Sequence, residues 1–215
     1  MAFYRRIAVP VLLLGSWCFG QVQVRFNDGA REIKDVLDKA HLSGSIAYSY
    51  DCKVARSRLP VPPNVYAPRS TGSPLEVLRE MFSVDSKMQV TQDPSRIVRI
   101  VQKDVPTDIL DVKIHNIVFP PRTSDPYQVN EPDRALLVIL SSPEVLSFEE
   151  EHHIVPPGFR LDGIVRSDLP SVSGELHDVT LSQPLDYVLK TLPGYWIYEN
   201  CTTEDGRRTV NFRFY

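Results

Sequence analysis

Apolar residues recur at helical spacing from Ile33 through Val36 and Leu37 to Ala40, with Lys34, Asp35, Asp38 and Lys39 on the opposite side. This stripe predicts an amphipathic helix, which Gly44 is expected to end. Ile46-Ala47-Tyr48-Ser49-Tyr50 then alternates with a period of two and predicts a strand. Leu59-Pro60-Val61-Pro62-Pro63 follows. Proline cannot donate to a β-ladder, so this stretch reads as extended chain at a sheet edge. Helical spacing returns at Leu75, Leu78, Met81 and Phe82, behind a punctuated start. Ser73 can cap the first turn, Pro74 suits the first helical position, and Glu76 completes a capping box. Two strands close this half, over 87–91 and 96–102, joined through Gln92-Asp93-Pro94-Ser95.

The end of the chain repeats the arrangement. A strand is predicted over 172–179, then a helix from Pro184 carrying Leu185, Val188, Leu189 and Leu192, stopped by Pro193-Gly194. Tyr195-Trp196-Ile197-Tyr198 is strongly β-prone, Asp205-Gly206 supplies a turn, and Val210, Phe212 and Phe214 alternate with Asn211 and Arg213 in a final strand. Between the halves, 111–119 reads as a strand and 120–126 as a loop. The run 135–140 fits either a buried helix or a buried strand by periodicity; Asn130 before Glu131-Pro132-Asp133 favours helix. Ser141-Ser142-Pro143-Glu144 resembles a second capping box, opening a short helix to about His152 that Pro156-Pro157-Gly158 ends. The expected fold class is α+β, with two related small units, each of helices packed on a short mixed or antiparallel sheet. The units span 21–104 and 105–215, the second with a helical insertion at about 131–153.

The first twenty residues read differently from the rest. Arg5 and Arg6 precede the apolar run from Ile7 to Leu14, and Cys18-Phe19-Gly20 stands before Gln21. This is the pattern of a cleaved secretory signal peptide over 1–20, so the protein is expected to be exported, to a periplasm or beyond the cell. A lipid anchor on Cys18 is discounted because Trp17 is too bulky before the cut. No later stretch approaches the roughly 20 apolar residues of a membrane span. The net charge of −3 offers no basic footprint for nucleic acid. Two further cysteines, Cys52 and Cys201, are expected to pair in an oxidising compartment, with two buried thiols as the other reading.

The succession of helix, strand, proline-rich strand, capped helix and hairpin resembles the short N-terminal (STN-like) domain shared by secretins and TonB-dependent receptors. The matching residues are the helix–strand from Ile33 to Tyr50, the segment Ser73-Pro74-Leu75-Glu76-Val77-Leu78-Arg79-Glu80-Met81-Phe82, and the hairpin from Met88 to Val101. The resemblance covers Val22 to about Lys103, and the second half echoes it more loosely. It implies a small periplasmic α+β module that makes protein–protein contacts and performs no chemistry. The membrane barrel that follows this domain in receptors is not expected, since about eight strands of roughly ten residues do not fit.

Candidate chemistry is sparse. Glu149, His152 and His153 would share a helix face and suggest a divalent metal such as zinc, but a solvated helix end with histidines near its negative pole explains the same residues. His115 in a strand, His41 at a helix end and His177 beside Asp178 are weighed as catalytic bases, yet no serine lies in a nucleophile elbow. No catalytic, metal or cofactor residue is assigned. Asn200-Cys201-Thr202 fits a glycosylation acceptor and is taken as chance. Trp196 and Tyr198 share one side of their strand; they pack in the core or form an exposed recognition patch. The functional expectation is an exported, non-enzymatic interaction module of the bacterial envelope, with another envelope protein as partner and edge-strand or sheet-face recognition as mechanism. A small-molecule or glycan-binding protein using Trp196 and Tyr198 is the alternative, and a hydrolase or metal-dependent enzyme the third reading.

Overall fold

The computed structural model describes residues 23–24, 26–50, 52, 65–66, 72–83, 85–121, 131–155 and 169–215. The signal-like segment 1–20, the proline-rich stretch 59–63, Asn130 and most of the loops expected at 120–126 and after Pro156 lie outside the described residues. In chain order the elements are β1 (Gln23–Val24), α1 (Phe26–Lys39), β2 (Ser43–Ser49), β3 (Val65–Tyr66), α2 (Pro74–Met81), β4 (Met88–Gln92), β5 (Ile97–Gln102), a 3₁₀ turn (Asp108–Asp111) and β6 (Lys113–Phe119). They continue with α3 (Glu131–Leu140), α4 (Pro143–Glu151), β7 (Ile154–Val155), β8 (Gly174–Thr180), α5 (Ser182–Thr191), β9 (Tyr195–Thr202) and β10 (Arg208–Phe214). The class is mixed α+β, as the periodicities imply.

Six strands form one mixed sheet in the order β4-β5-β2-β9-β10-β7. The central three, β5, β2 and β9, run parallel; β4 and β10 flank them antiparallel, and β7 adds a two-residue parallel edge. Ile46 of β2 stands opposite both Ile100 of β5 and Ile197 of β9, so the strands of the two predicted units lie side by side in one sheet and meet at the β2–β9 pair. A helix followed by an antiparallel hairpin occurs twice, as α2 with β4–β5 and as α5 with β9–β10.

Each face of the sheet carries its own core. Ile33 and Leu37 of α1 and Leu78 and Met81 of α2 pack with Ile46, Tyr48, Ile100, Tyr195 and Ile197 on one side. On the other, Ala135 and Ile139 of α3, Val145 of α4 and Leu185 and Val188 of α5 pack with Ala47, Trp196, Tyr198, Val210 and Phe212. A separate antiparallel ribbon, β6–β8, closes this second layer through Ile114, Ile117 and Phe119.

Several local expectations are realised and others are corrected. Ser73 caps α2: its hydroxyl accepts the Glu76 amide, and the Glu76 carboxylate accepts the Ser73 amide, with Pro74 in the first turn. The ambiguous run 135–140 is helical. In β10, Val210, Phe212 and Phe214 face the core while Arg213 points the other way, to Glu199. Gly44, however, does not end α1. The helix stops at Lys39 and the Leu42 amide closes onto the Leu37 carbonyl at 2.9 Å, whereas Gly44 lies inside β2. A Cβ there would stand 3.2 Å from both Leu37 Cδ1 and the Val98 carbonyl, so the glycine permits helix and strand to approach. The strand read in 46–50 is present as β2, but it is not one-sided: it is buried on both faces from Gly44 to Tyr48, as a central parallel strand must be. The second capping box does not form. Ser142 precedes α4, but its hydroxyl donates back to the Ile139 carbonyl, and Glu144 turns to the His115 amide instead. Helix α5 starts at Ser182, two residues before Pro184, and the strand expected over 172–179 is β8.

Candidate functional site

Among the described residues, four clusters of polar side chains tie elements together. The first is a clamp across the sheet and α5. Arg99 on β5 grips Asp186 with two parallel bonds, at 2.8 and 2.6 Å, and reaches Asp93 at 2.8 Å. The Trp196 indole N–H donates to the same Asp186 carboxylate at 2.8 Å, and the Arg99 guanidinium lies 5.9 Å from the Trp196 ring centre. Burial works against the Asp93 charge, but hydrogen bonds from Ser95, the Ile97 amide and Arg99 outweigh it and hold this carboxyl below its ordinary range.

The second is a carboxylate deep in the sheet. Glu199 on β9 is fully buried and accepts from the Tyr48 hydroxyl, the Arg213 guanidinium and, at 2.6 Å, the Asn211 amide. Burial, followed by the neighbouring Glu199 charge and hydrogen bond, drives the Tyr48 phenol far above its usual value. The third is Arg208, which donates to Asn200 and Tyr198 at 2.6 Å and to Asp108 at 2.7 Å. The Arg208 hydrogen bond depresses the Asp108 carboxyl, while burial pushes the Tyr198 phenol up to about 12. The fourth is Glu131 at the start of α3, fully buried, which receives two bonds from Arg134 and the Val172 amide at 2.7 Å. These groups hold helices and strands in register; each carboxylate is answered by cationic or N–H donors, as buried charge requires.

Trp196 and Tyr198, the candidate recognition patch, are 2% and 0% exposed. They form the core beneath α5 and α3, so the packing reading holds and a surface patch at these residues is ruled out. Tyr195 and Ile197, on the other side of β9, are equally buried under α1 and α2. The reason is again position: β9 lies between β2 and β10, covered on both faces. Cys52 and Cys201, the candidate pair, are joined, with Cα atoms 5.4 Å apart across 149 residues of chain. Asn200 of the glycosylation triplet is 2% exposed and bonded to Arg208.

The histidines do not converge. His152 stacks on Phe148 and lies 3.0 Å from its carbonyl, while Glu149 is buried and both His152 and His153 are exposed. Among the described residues no three His, Cys, Asp or Glu side chains come close enough to hold a metal ion. A shallow groove of about 620 Å³ between the 3₁₀ turn and α4 is lined by Asp108, Asp111, Lys113, Glu144 and Phe148. Two of its carboxylates are already engaged, Asp108 by Arg208 and Glu144 by the His115 amide.

Among the described residues, one surface element apart from these clusters is the β6–β8 ribbon. Its strands are seven residues each, and β8 pairs only with β6 among the described residues. Val118 is half exposed beside Glu175, and His115 sits 3.2 Å from Asp178, both in solvent. The ribbon's far end is tied down by Gln183, which accepts the Thr180 amide at 2.8 Å. Sequence reading missed it as a separate unit because each strand resembled part of a larger sheet. Among the described residues no helix is long and apolar enough to cross a membrane. Comparison with family models, with curated proteins and with solved structures finds no match for this chain.

Proposed function

We propose that this protein is an exported, non-enzymatic interaction module of the bacterial cell envelope, similar in role to the N-terminal domains of secretins and TonB-dependent receptors, and that it binds another envelope protein through a β-strand edge. The observation that carries this reading is the outer edge of β8, which pairs with no strand besides β6 among the described residues. An antiparallel strand turns alternate N–H and C=O groups away from its partner, and an extended segment of another protein satisfies them by adding a strand. Half-exposed Val118 and the Glu175 and His177 side chains on this ribbon would supply side-chain selectivity. The buried ion pairs support the reading from the other side: Glu199, Glu131 and Asp186 are spent on holding elements together.

The test is affinity capture from the envelope fraction of the source bacterium, using the tagged wild type beside Val118→Asp. Val118 is on the surface, so the variant should melt like the wild type. A reproducible envelope protein retained by the wild type and reduced about tenfold by the variant supports the proposal. Equal capture by both proteins, or no reproducible partner, overturns it.

A further inference from the structure

A second edge of the molecule points to a different occupant. Strand β4 is the outermost strand of the six-stranded sheet and, among the described residues, pairs only with β5. The bonds flanking it fix which groups point outward: the Asp93 amide donates to the Ile97 carbonyl and the Lys103 amide to the Lys87 carbonyl. Odd-numbered residues therefore face β5, and Met88, Val90 and Gln92 turn their amides and carbonyls away from it. Gln89, Thr91 and Gln92 are exposed. The strand reads Met-Gln-Val-Thr-Gln, with neither charge nor proline, so the common devices that blunt an edge are absent within it.

We infer that β4 pairs antiparallel with β4 of a second copy of this chain, across a two-fold axis at Val90. That register is favoured because it sets outward residues against outward residues: Val90 against Val90 of the second copy, and Met88 against Gln92 of the second copy. The Met88 amide is already given to the Asp85 carbonyl. Four bonds are then available, two between the Val90 residues and two from Gln92 amides to Met88 carbonyls. The same register places Lys87 opposite Asp93 of the second copy, one pair of opposite charge at each end of the shared ladder. A shift of register by two residues loses bonds at one end and separates these charges.

One side chain restrains the pairing. The Arg79 Nε–H donates to the Val90 carbonyl at 3.4 Å, a long bond on the exposed side of α2. A second copy replaces it with a backbone amide, and it brings two Arg79 side chains toward the axis. A five-residue strand also buries far less than the area of a stable dimer. The pair is accordingly weak and forms as concentration rises. This interaction is independent of the β8 edge, and each can fail without the other.

The test uses the full chain. Sedimentation equilibrium should show a monomer–dimer equilibrium for the wild type. Val90→Pro removes a donor that points away from β5 and should weaken dimerisation about tenfold or more. Because Val90 also touches the core, Arg79→Ala provides the second arm, and it should tighten the dimer several-fold. A third arm mixes Gln89→Cys with Thr91→Cys, which face each other across this axis; disulfide-linked dimers should be more abundant in the mixture than with either variant alone. A wild type that stays monomeric to millimolar concentration, or cross-linking no greater in the mixture, overturns the inference.

Discussion

The residue that departs most from its apparent role is Glu149. In the sequence it belongs to an acidic run with Glu150 and Glu151, and such a run reads as a solvated helix face. In the fold it is only 7% exposed, and burial raises its carboxyl above the ordinary value. An acid with a raised folded pKa contributes stability below its unfolded value, near pH 4.3, and loses that contribution as pH rises through the folded value. Glu149→Gln keeps the shape and removes the charge. Thermal melts should therefore show variant and wild type nearly alike at about pH 4 and the variant more stable at pH 7. A variant less stable at pH 7 would refute the assignment of burial as the cause. Glu199 teaches the complementary lesson. Sequence reasoning missed it, yet a signal existed: the strand period puts it on the side of Tyr195 and Ile197, and the hairpin turn at Asp205-Gly206 brings Asn211 and Arg213 beside it.

At the scale of elements, local chemistry was legible wherever a signal is completed within one turn. Ser73, Pro74 and Glu76 declare the start of α2, and the helix begins there. Where the same letters have a distant competitor, the local reading fails. Glu144 leaves the second box because the His115 amide, 29 residues away in sequence, needs an acceptor. The runs of β2 and β9 were legible as strands, but their burial on both faces was not, since it depends on neighbours that periodicity cannot see. The disulfide is the reverse case. Its pairing was the favoured reading once Cys18 was set aside in the signal-like segment and an oxidising compartment was expected, although what it ties together was not legible: Cys52 lies just beyond β2, and Cys201 near the end of β9. A cross-link spanning 149 residues removes unfolded-chain entropy corresponding to about 5 kcal/mol. For a protein of this size that amounts to roughly 2 M in the urea midpoint. Unfolding with and without reductant, followed by tyrosine and tryptophan fluorescence, should show a fall of that order; a shift below about 0.5 M would mean that the two ends are held equally well without the bond.

The whole molecule turns on how its halves meet. Periodicity and the repeated helix–hairpin pattern suggested units at 21–104 and 105–215; a helix followed by a hairpin does occur twice, but the described strands of both segments share one sheet. Their junction is a strand pairing: β2 lies parallel beside β9 from Gly44 to Ser49, with the Gly44 amide donating to the Gly194 carbonyl. Gly194 is indispensable there, because its backbone adopts φ +150° and a Cβ would stand 2.0 Å from the Tyr215 carbonyl. Tyr195 and Ile197 complete the core under α1 and α2, and the Tyr195 hydroxyl donates to the Ala30 carbonyl at 3.0 Å. The Arg99–Asp186 clamp joins the halves again on the opposite face. Separating them would uncover β2 along one edge, open the first core and strand Arg99 without its principal acid. Two such losses, each of several kcal/mol, exceed the marginal stability of a domain of about 80 residues. Fragment 21–104 expressed alone should therefore give the collapsed amide shifts of an unfolded chain in a ¹H–¹⁵N spectrum. Mixed with 105–215 under oxidising conditions, it should recover dispersed resonances. A well-dispersed spectrum from the isolated fragment would show instead that the shared sheet is a docking surface between two self-sufficient folds.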